Sequence, residues 1–574
     1  MRDVRKPLCA VAGIAALVAG ALVAPVIPAV GGSSGSGAET TEYLVLLEEG
    51  ADRAAARAAV EQAGGTVVKE NANLGTMTVR ASASGFAGAV SASSAVAGAA
   101  RNRPVGKVPD AAPVRPDAIE QENLGAARSG SAAKGSASGG AIMTDPLDSY
   151  LWGLRMVRAD LAHSVQPGKK AVKVGVLDSG IDARNPDIAP NFDWTLSRNF
   201  APDIPEVDGA CEFAGCVDPV GWDDSGHGTH VAGTIGAALN GIGVSGVAPK
   251  VTLVQIRGGQ DSGYLFLGPV SDALSYAGDV GLDVVNMSFY VDPWLYNCTN
   301  NPADSPEAQA EQRTIIRTMQ RALDYAHDRG VTLVGSLGND HEDLGKPRTD
   351  LSSPDFPPGA AYPRPIDNAT CLDLPVEGRH VIGVSALGPS SKKADYSNYG
   401  LEQIEVSAPG GWFRDFFGTP QHRINENLIL STYPVNTLQV LGLVDAAGNI
   451  TPAGVAGDVQ KQCPPGATDY TQCGYYNWLQ GTSMASPHAT GVSALIVSEF
   501  GKKKGSGYGM DPDKVRKVLL STAQKRACPV PPLVSYANEG RSPEFDALCE
   551  GTRSFNGFYG NGIVDAYTAV RSGQ

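Results

Sequence analysis

Charged residues are scarce in this chain of 574 residues, at 18% of the total, and basic residues are outnumbered by acidic ones. The 46 lysines and arginines against 60 aspartates and glutamates leave a formal net charge of −14. A chain this acidic lacks the clustered cations that general binding to a nucleic-acid backbone requires, so we expect no nucleic-acid partner. With 42% hydrophobic residues the composition is globular, and the length allows more than one domain.

Several motifs of metal and membrane chemistry are also missing. The chain has no His-Glu-x-x-His, which zinc proteases of that class need, and no Cys-x-x-Cys pair, which weakens a structural zinc site. No apolar run reaches the ~20 residues of a membrane span. We therefore expect no stable membrane anchor.

The N-terminus has the order of a secretory signal peptide. Basic residues within Met1–Lys6 precede an apolar run, Leu8–Val23, and small residues and prolines follow it. Residues 1–29 are therefore predicted to be a signal peptide, with cleavage after Ala24 or Ala29 both open. The pattern predicts a secreted, extracellular protein.

The cysteine count fits an exported chain. Without Cys9 there are eight cysteines, an even number that favours disulfide bonds outside the cell. The spacing suggests three local pairs and leaves a fourth, although many connectivities are possible. The suggested pairs are Cys211–Cys216, Cys463–Cys473, Cys528–Cys549 and Cys298–Cys371.

Residues 41–105 are predicted to be a small independent α+β domain. Apolar strands at 42–47, 66–69 and 77–80 and helices at 51–63 and within 82–99 give the order β-α-β-β-α-β, with a weak fourth strand near Val105. Residues 106–144 are rich in glycine, serine, alanine and proline, which is typical of a flexible, protease-accessible linker.

Residues 145–574 alternate between apolar strands and helices. The strands are predicted within 171–177, 251–256, 283–287, 331–334 and 381–384, and the helices within 230–239, 270–281, 308–329 and 489–500. Alternation of this kind predicts an α/β fold in three layers, with a central parallel sheet covered by helices on both faces.

Three segments carry chemistry. Asp178 ends a predicted buried strand, His227 lies between two glycines at the start of a helix, and Ser483 precedes a long apolar helix. Each has a structural alternative: a turn or cap residue for Asp178, a metal pair with His230 for His227, and an N-cap for Ser483 or Ser486. Together they supply a hydroxyl nucleophile, its base and the group that orients the base.

A fourth segment places Asn339 after another strand, where its amide could complete an oxyanion hole. The motifs in the order Asp178-Ser-Gly, His227-Gly-Thr-His-Val-Ala-Gly and Gly-Thr-Ser483-Met-Ala-Ser-Pro resemble those of secreted subtilisin-family serine proteases. The resemblance covers about Tyr150–Phe500 and resumes near Tyr559. It implies a subtilisin-like fold for residues 145–574.

The resemblance also implies roles. Asp178, His227 and Ser483 would be the catalytic triad, and Asn339 an oxyanion donor. Residues 41–105 would be a ferredoxin-like inhibitory propeptide, removed by self-processing between Val105 and Asp145. We expect a monomer that acts on proteins or peptides without a catalytic cofactor, and whose activity falls below about pH 6–7 with protonation of His227.

Two further assignments rest on the resemblance. Ser288, Phe289 and Tyr290 would line substrate subsites, although relatives carry a glycine where Tyr290 stands. Asp187 and Asn240 lie where a structural calcium ion would bind, but the loop around Asn240 is short.

Three alternative interpretations compete with this one. An α/β-hydrolase needs Gly-x-Ser-x-Gly and the order Ser, Asp, His, neither of which is present. A catalytically silent binding or scaffold protein could use the same fold, although all three triad residues remain. Residues 41–105 could also be a permanent extra domain.

Overall fold

The computed structural model describes residues 40–107, 120, 144–289, 293–346, 348–357, 359–504 and 507–573. The predicted signal peptide, nearly all of the predicted linker and Tyr290 lie outside these residues. Among the helices of the described residues, none combines the length and the apolar character needed to cross a membrane.

The first folded unit is a four-stranded antiparallel sheet with two helices packed on it. Its elements follow the predicted order, and the strands are arranged β2-β3-β1-β4. A core of buried side chains that includes Tyr43, Val60 and Phe86 joins the helices to the sheet. The elements are β1 (Thr40–Leu47), α1 (Arg53–Gln62), β2 (Thr66–Asn71), β3 (Thr76–Ser82), α2 (Phe86–Val90) and β4 (Val96–Arg101).

Two details of this unit differ from expectation. The second helix ends at Val90, because the serine-rich segment that follows it is poor in helix-forming residues. The fourth strand is β4 and pairs with β1, whereas the segment near Val105 forms β5 (Pro104–Lys107), which pairs with Tyr264–Phe266 in the second unit. The chain therefore runs from the small unit directly along the large one.

The second unit contains the other described strands and helices. The strands are β6 (Lys173–Leu177), β7 (Arg198–Asn199), β8 (Thr252–Arg257), β9 (Tyr264–Phe266), β10 (Val284–Met287), β11 (Asn297–Cys298), β12 (Thr332–Ser336), β13 (Arg348–Asp350), β14 (Arg364–Ile366), β15 (Cys371–Leu372), β16 (Val381–Leu387), β17 (Val406–Pro409), β18 (Ile429–Tyr433), β19 (Gln460–Gln462), β20 (Gly474–Leu479), β21 (Lys502–Lys504), β22 (Gly507–Gly509), β23 (Leu533–Val534) and β24 (Ala547–Leu548). The helices are α3 (Trp152–Met156), α4 (Ala159–Ala162), α5 (Pro205–Asp208), α6 (His227–Gly236), α7 (Leu267–Asp279), α8 (Pro306–Asp328), α9 (Val435–Val440), α10 (Pro452–Ala456), α11 (Thr482–Phe500), α12 (Pro512–Thr522) and α13 (Ala566–Val570).

Seven parallel strands form the central sheet in the order β17-β16-β12-β10-β6-β8-β7, which confirms the predicted α/β fold. Helices α6 and α11 share one hydrophobic core on one face of the sheet, and α7 and α8 share another on the opposite face. Nearly every residue of α11 is buried, so this helix needs no polar face. The three layers place the carboxyl ends of the strands along one edge, where α/β proteins carry their sites.

The small unit packs on α7 and α8 through apolar and polar contacts, and Leu44, Leu74 and Ala100 join the hydrophobic core of these two helices. Arg321 donates to the Leu47 and Leu74 carbonyl oxygens at 3.0 Å. The Asn71 amide donates to Asp272 at 2.7 Å, in α7. These contacts fix the small unit against the helical face opposite α6 and α11.

Four disulfide bonds join the cysteines of the second unit in the suggested pairing, which is confirmed. Three close short loops, and Cys298–Cys371 joins β11 to β15 across 73 residues of sequence.

Candidate active site

The three residues of the predicted triad lie at the carboxyl edge of the sheet. Asp178 directly follows β6, His227 is the first residue of α6, and Ser483 is the second residue of α11. All three are buried. Gly228 allows α6 to approach the turn after β6, because a Cβ at this position would lie 2.1 Å from the Gly180 carbonyl oxygen.

Asp178 and His227 form the first half of the predicted triad. The Nδ1 atom of His227 lies 2.8 Å from Oδ1 of Asp178, which also accepts a hydrogen bond from the Ser179 amide at 2.8 Å. Burial alone would lower the pKa of His227, but the carboxylates of Asp178 and Glu120 outweigh it and raise the pKa to about 9. In this state the imidazole is protonated at neutral pH.

Ser483 is the second residue of α11 and lies at the N-terminus of this helix. The N-cap is Gly481, with φ at 149° and no side-chain cap. The Thr482 N–H is taken by Asn339, and the Met484 N–H by the Gly481 carbonyl. Neither Ser483 nor Ser486 is the N-cap, in contrast to the structural alternative. The side-chain oxygen of Asn339, Oδ1, accepts hydrogen bonds from the N–H and the hydroxyl of Thr482, at 2.9 Å each. Because Oδ1 is held in this way, the side-chain nitrogen of Asn339 faces the site.

A fourth ionisable residue, Glu120, lies inside this arrangement. Its side chain is buried, with Oε2 3.5 Å from His227 Nε2 and Oε1 3.4 Å from Asn339 Nδ2. Its carboxylate also accepts a hydrogen bond from the Ser483 hydroxyl. The backbone of Glu120 is held as well, because the Gln480 N–H donates to its carbonyl oxygen at 3.2 Å.

As a consequence, the predicted nucleophile Ser483 and the predicted base His227 are not joined by a hydrogen bond. Among the described side chains, His227 Nε2 has no hydrogen-bond partner, while the Ser483 hydroxyl donates to Glu120. Burial raises the pKa of Glu120 to about 7, and the positive charge of His227 acts in the opposite direction. A carboxylate therefore fills the space that an oxyanion would occupy between Asn339 and the start of α11.

Glu120 was missed from the sequence because nothing marks it there. It is one of several acidic residues near the predicted linker, and no motif surrounds it. Its position depends on the path of the chain after β5, which local sequence does not specify.

The residues predicted to line substrate subsites do not share one environment. The Ser288 hydroxyl donates to the Ser483 carbonyl at 3.0 Å and contacts Ser486 Oγ at 2.7 Å, so it supports the start of α11. Phe289 is buried in the core between the sheet and α7 and α8. Tyr290 lies outside the described residues, and a subsite role for this segment stays a prediction.

His230 belongs to the core. Its Nε2 lies 3.0 Å from the Ile429 carbonyl and 3.2 Å from that of Asn477, and burial lowers its pKa to about 3. A neutral imidazole that donates to backbone carbonyls does not fit the alternative metal pair with His227.

The donor set at Asp187 and Asn240 does not fit a calcium ion as arranged. Oδ2 of Asp187 accepts from the Val244 N–H and the Tyr476 hydroxyl, each at 2.9 Å. The Asn240 amide donates to the Pro186 carbonyl at 3.1 Å. Calcium needs about 6–8 oxygen ligands. Here an N–H and an O–H donor occupy Oδ2, and only Oδ1 of Asp187 is buried without a partner among the described residues.

Comparisons with known proteins agree with this fold. The profile of the Subtilase family matches residues 169–562, which is more than half of the chain. Subtilisin DY of Bacillus licheniformis is 27% identical over 372 residues, which cover 65% of this chain and 90% of that protein. M-protease of Shouchella clausii (strain KSM-K16) is 27% identical over 356 residues, covering 62% of each chain.

Solved structures support the fold. The epidermin leader peptide processing serine protease of Staphylococcus aureus, solved as a serine-to-alanine mutant, superposes with a TM-score of 0.59 at 19% identity, covering 93% of this chain and all of that one. Fervidolysin of Fervidobacterium pennivorans, a keratinolytic enzyme related to subtilisin, gives a TM-score of 0.54 at 22% identity and covers 93% of this chain and 61% of that one.

The fold and the relatives define a hydrolase of the serine endopeptidase class. Within that class, the chain belongs to the subtilase family.

Proposed function

We propose that this chain is a secreted serine endopeptidase that cleaves proteins or peptides through Asp178, His227 and Ser483. The observation that carries the proposal is the 2.8 Å contact between Asp178 and His227 beside the N-terminus of α11 that bears Ser483. The four disulfide bonds favour an oxidising compartment, in agreement with the predicted signal peptide.

The mechanism follows from this geometry once Glu120 has left. The Ser483 hydroxyl then turns to His227 Nε2, which takes its proton as the oxygen attacks the scissile carbonyl. Asp178 holds the imidazole by Nδ1 and stabilises its positive charge. The Ser483 N–H and the Asn339 amide receive the oxyanion. As the peptide bond breaks, His227 gives its proton to the leaving amine and is neutral again. Water then hydrolyses the acyl-enzyme with His227 as base.

The small unit of residues 40–107 is proposed to be an inhibitory propeptide. It has its own core, it contacts α7 and α8 through apolar and polar groups, and the chain leaves it along β9 as an added strand, β5. Strand addition beside a cleft uses backbone hydrogen bonds, so the contact does not depend on particular side chains. Removal would take place by cleavage between Val105 and Asp145, in the segment whose composition predicts a linker.

Glu120 is proposed to keep the uncleaved chain inactive. Its carboxylate takes the Ser483 hydroxyl and the Asn339 amide, and it keeps His227 protonated. A protonated imidazole cannot act as a base, and an occupied oxyanion pocket cannot polarise a carbonyl. Both requirements of catalysis are blocked by one side chain.

If the protein binds a structural calcium ion, a different cluster suits it better than Asp187. Carboxylate oxygens of Asp203, Glu212, Asp218 and Asp261 lie within 4.8 Å of one another. Arg257 pairs with Asp218 and Asp261 at 2.5 Å each and is one cation among four carboxylates. Both oxygens of Asp203, which is 5% exposed, lack a hydrogen-bond partner among the described residues.

The charges in this cluster favour a bound cation. Burial and the neighbouring carboxylates raise the pKa of Asp203 to about 6, while burial raises that of Asp261 to about 8 despite Arg257. Oxygen-only donors suit a hard ion such as calcium. A cation would hold the loop between β7 and α6, which leads into His227.

Calcium removal is expected to lower the thermal stability of the Ser483→Ala chain by about 5 °C, since an ion bound only by the folded state stabilises that state. Differential scanning calorimetry with and without EDTA measures the shift. Asp203→Asn should abolish the calcium response, and Asp187→Asn should retain it. The same response in the Asp203 variant as in the parent chain would rule out this cluster.

A fluorophosphonate probe tests the proposed function. We expect the exported wild-type protein to carry one probe on Ser483 and to begin between Val105 and Asp145, as measured by intact mass and N-terminal analysis. The Ser483→Ala protein should be unlabelled and should retain Tyr43. If the wild type is labelled but uncut, self-processing is disproved and the catalytic assignment stands. If neither protein is labelled, the alternative of a catalytically silent binding protein is favoured.

A further inference from the structure

A second cluster of ionisable side chains lies at the amino edge of the central sheet, away from the candidate active site. His327 is in the last turn of α8, His380 directly precedes β16, and Asp513 is in the first turn of α12. These elements are distant in sequence, and the strands that follow the two histidines begin at this edge. The cluster is therefore assembled by the tertiary fold.

The side chains of this cluster are close enough to share one ligand. The two imidazole rings are stacked with centroids 3.7 Å apart and an interplanar angle of 12°. One ring nitrogen of each histidine and one oxygen of Asp513 lie within 4.8 Å of one another, and His327 Nε2 is 3.3 Å from Asp513 Oδ1. The His327 Nδ1 atom is buried without a hydrogen-bond partner among the described residues.

The charges around the rings are mostly negative. Asp324 Oδ1 lies 3.4 Å from His380 Nε2, and Asp328 Oδ1 lies 3.8 Å from His327 Nδ1. Among the described residues, Arg379 is the cation that contacts these aspartates, and it pairs with Asp324.

We propose that His327, His380 and Asp513 bind a divalent transition-metal ion of the zinc class. Two imidazole nitrogens and a carboxylate oxygen suit such an ion, whereas calcium and magnesium prefer oxygen donors alone. The fourth position goes to water or to Asp324. In the stacked arrangement the two ring planes are nearly parallel, and the lone pair of an imidazole nitrogen lies in the plane of its ring. The exposed His380 ring must therefore turn out of the stack before both nitrogens reach one ion at about 2.0–2.1 Å.

The role that follows is structural. One ion would join the end of α8, the start of β16 and the start of α12, three elements that otherwise meet through exposed side chains. Because the ion binds only the folded arrangement, it stabilises the folded state. This site is independent of the proposed proteolysis and requires no catalytic residue.

Zinc binding to untagged Ser483→Ala protein, stripped of metal, tests the proposal. Isothermal titration calorimetry should give one zinc ion per chain, and thermal melting should move to higher temperature with zinc. His380→Ala and Asp513→Asn should each weaken binding by about tenfold or more. His422→Ala removes a histidine elsewhere and should leave the affinity unchanged.

A second probe reports the ligand set. Cobalt(II) bound by two imidazoles and a carboxylate should give visible absorption bands that disappear in His327→Ala. The proposal is wrong if wild-type protein takes up no zinc, or if His380→Ala binds it as tightly as the parent. It is also wrong if His227→Ala abolishes the binding, because the ion would then lie at the candidate active site.

Discussion

Replacement of Ser483 by alanine is expected to lower kcat for peptide hydrolysis by about a million-fold, the size already known for the triad serine of subtilisin. Without the hydroxyl no acyl-enzyme forms, and His227 has no proton to take from a nucleophile. The chain should also remain uncut and retain residues 40–107. The residual rate is measured on the variant after its propeptide has been removed by wild-type enzyme in trans.

Ser486→Ala is the matched control. Ser486 lies in the same helix, is equally buried and contacts Ser288, but it is not beside His227. It should keep kcat within about tenfold of wild type, as expected for a residue that only supports the site. Thermal melting of both variants should stay close to that of wild type. Loss of hydrolysis in Ser486→Ala with retention in Ser483→Ala would reverse the assignment of the nucleophile.

Glu120→Ala is expected to make the uncut chain react with a fluorophosphonate about 10²–10³ times faster than wild type. The change removes a buried carboxylate that faces His227, Asn339 and Ser483. Breaking such a buried charged contact costs about 3–5 kcal/mol, and each 1.4 kcal/mol is about tenfold in the open population. Labelling is followed by intact mass on freshly folded chains that still contain residues 40–107.

The pH dependence provides a second readout of the same contact. Docking buries Glu120 and raises its pKa from 4.5 to about 7. It also adds a second carboxylate beside His227, whose pKa of about 9 is raised first by Asp178 and then by Glu120. The docked state therefore binds protons more tightly than the undocked one. The contribution of Glu120 to its stability is fully present below about pH 4.5 and is lost as the pH rises through about 7. Labelling of the uncut wild type should therefore increase from neutral to alkaline pH.

Two variants separate this contact from general effects on the linker. In Glu120→Gln the charge is absent, so the apparent pKa of labelling should fall by about one unit or more. Glu122→Ala makes the same kind of change two residues along and should behave as wild type. Equal labelling rates in Glu120→Ala and wild type would show that Glu120 does not block the site.

The expectation that activity falls below about pH 6–7 applies to the processed enzyme, in which His227 loses the contact with Glu120. The pKa near 9 belongs to the uncut state. Comparing pH profiles of cut and uncut protein distinguishes the two, because only the uncut chain should need alkaline conditions.

Much of the fold could be predicted because it depends on local pattern. Apolar runs such as Val174–Leu177 have no polar alternation, which is typical of strands covered on both faces, and they form the parallel sheet. The segment after Ser483, rich in small and apolar residues, forms a helix that is buried along almost its whole length. Boundaries were less predictable where serine and glycine weaken a helix, as after Val90.

Part of the site could be predicted for a different reason. Asp178, His227 and Ser483 each stand beside glycines or small residues, since close backbone approach is needed around them, and this leaves a motif in the sequence. Glu120 leaves none, since its role depends on one carboxylate reaching a pocket built by distant elements. The clusters around Asp203 and His327 are likewise made from residues without a shared motif.

The amino-acid sequence by itself determined the α/β class, the order of the two folded units, the family and the residues of the predicted triad. These follow from hydrophobic periodicity and from short segments whose chemistry is local. Only the tertiary structure decided that Glu120 separates Ser483 from His227, that Phe289 is a core residue, and that carboxylates and histidines gather into two clusters. Such features depend on which distant side chains the packed layers bring within a few ångströms, a property that no local segment contains.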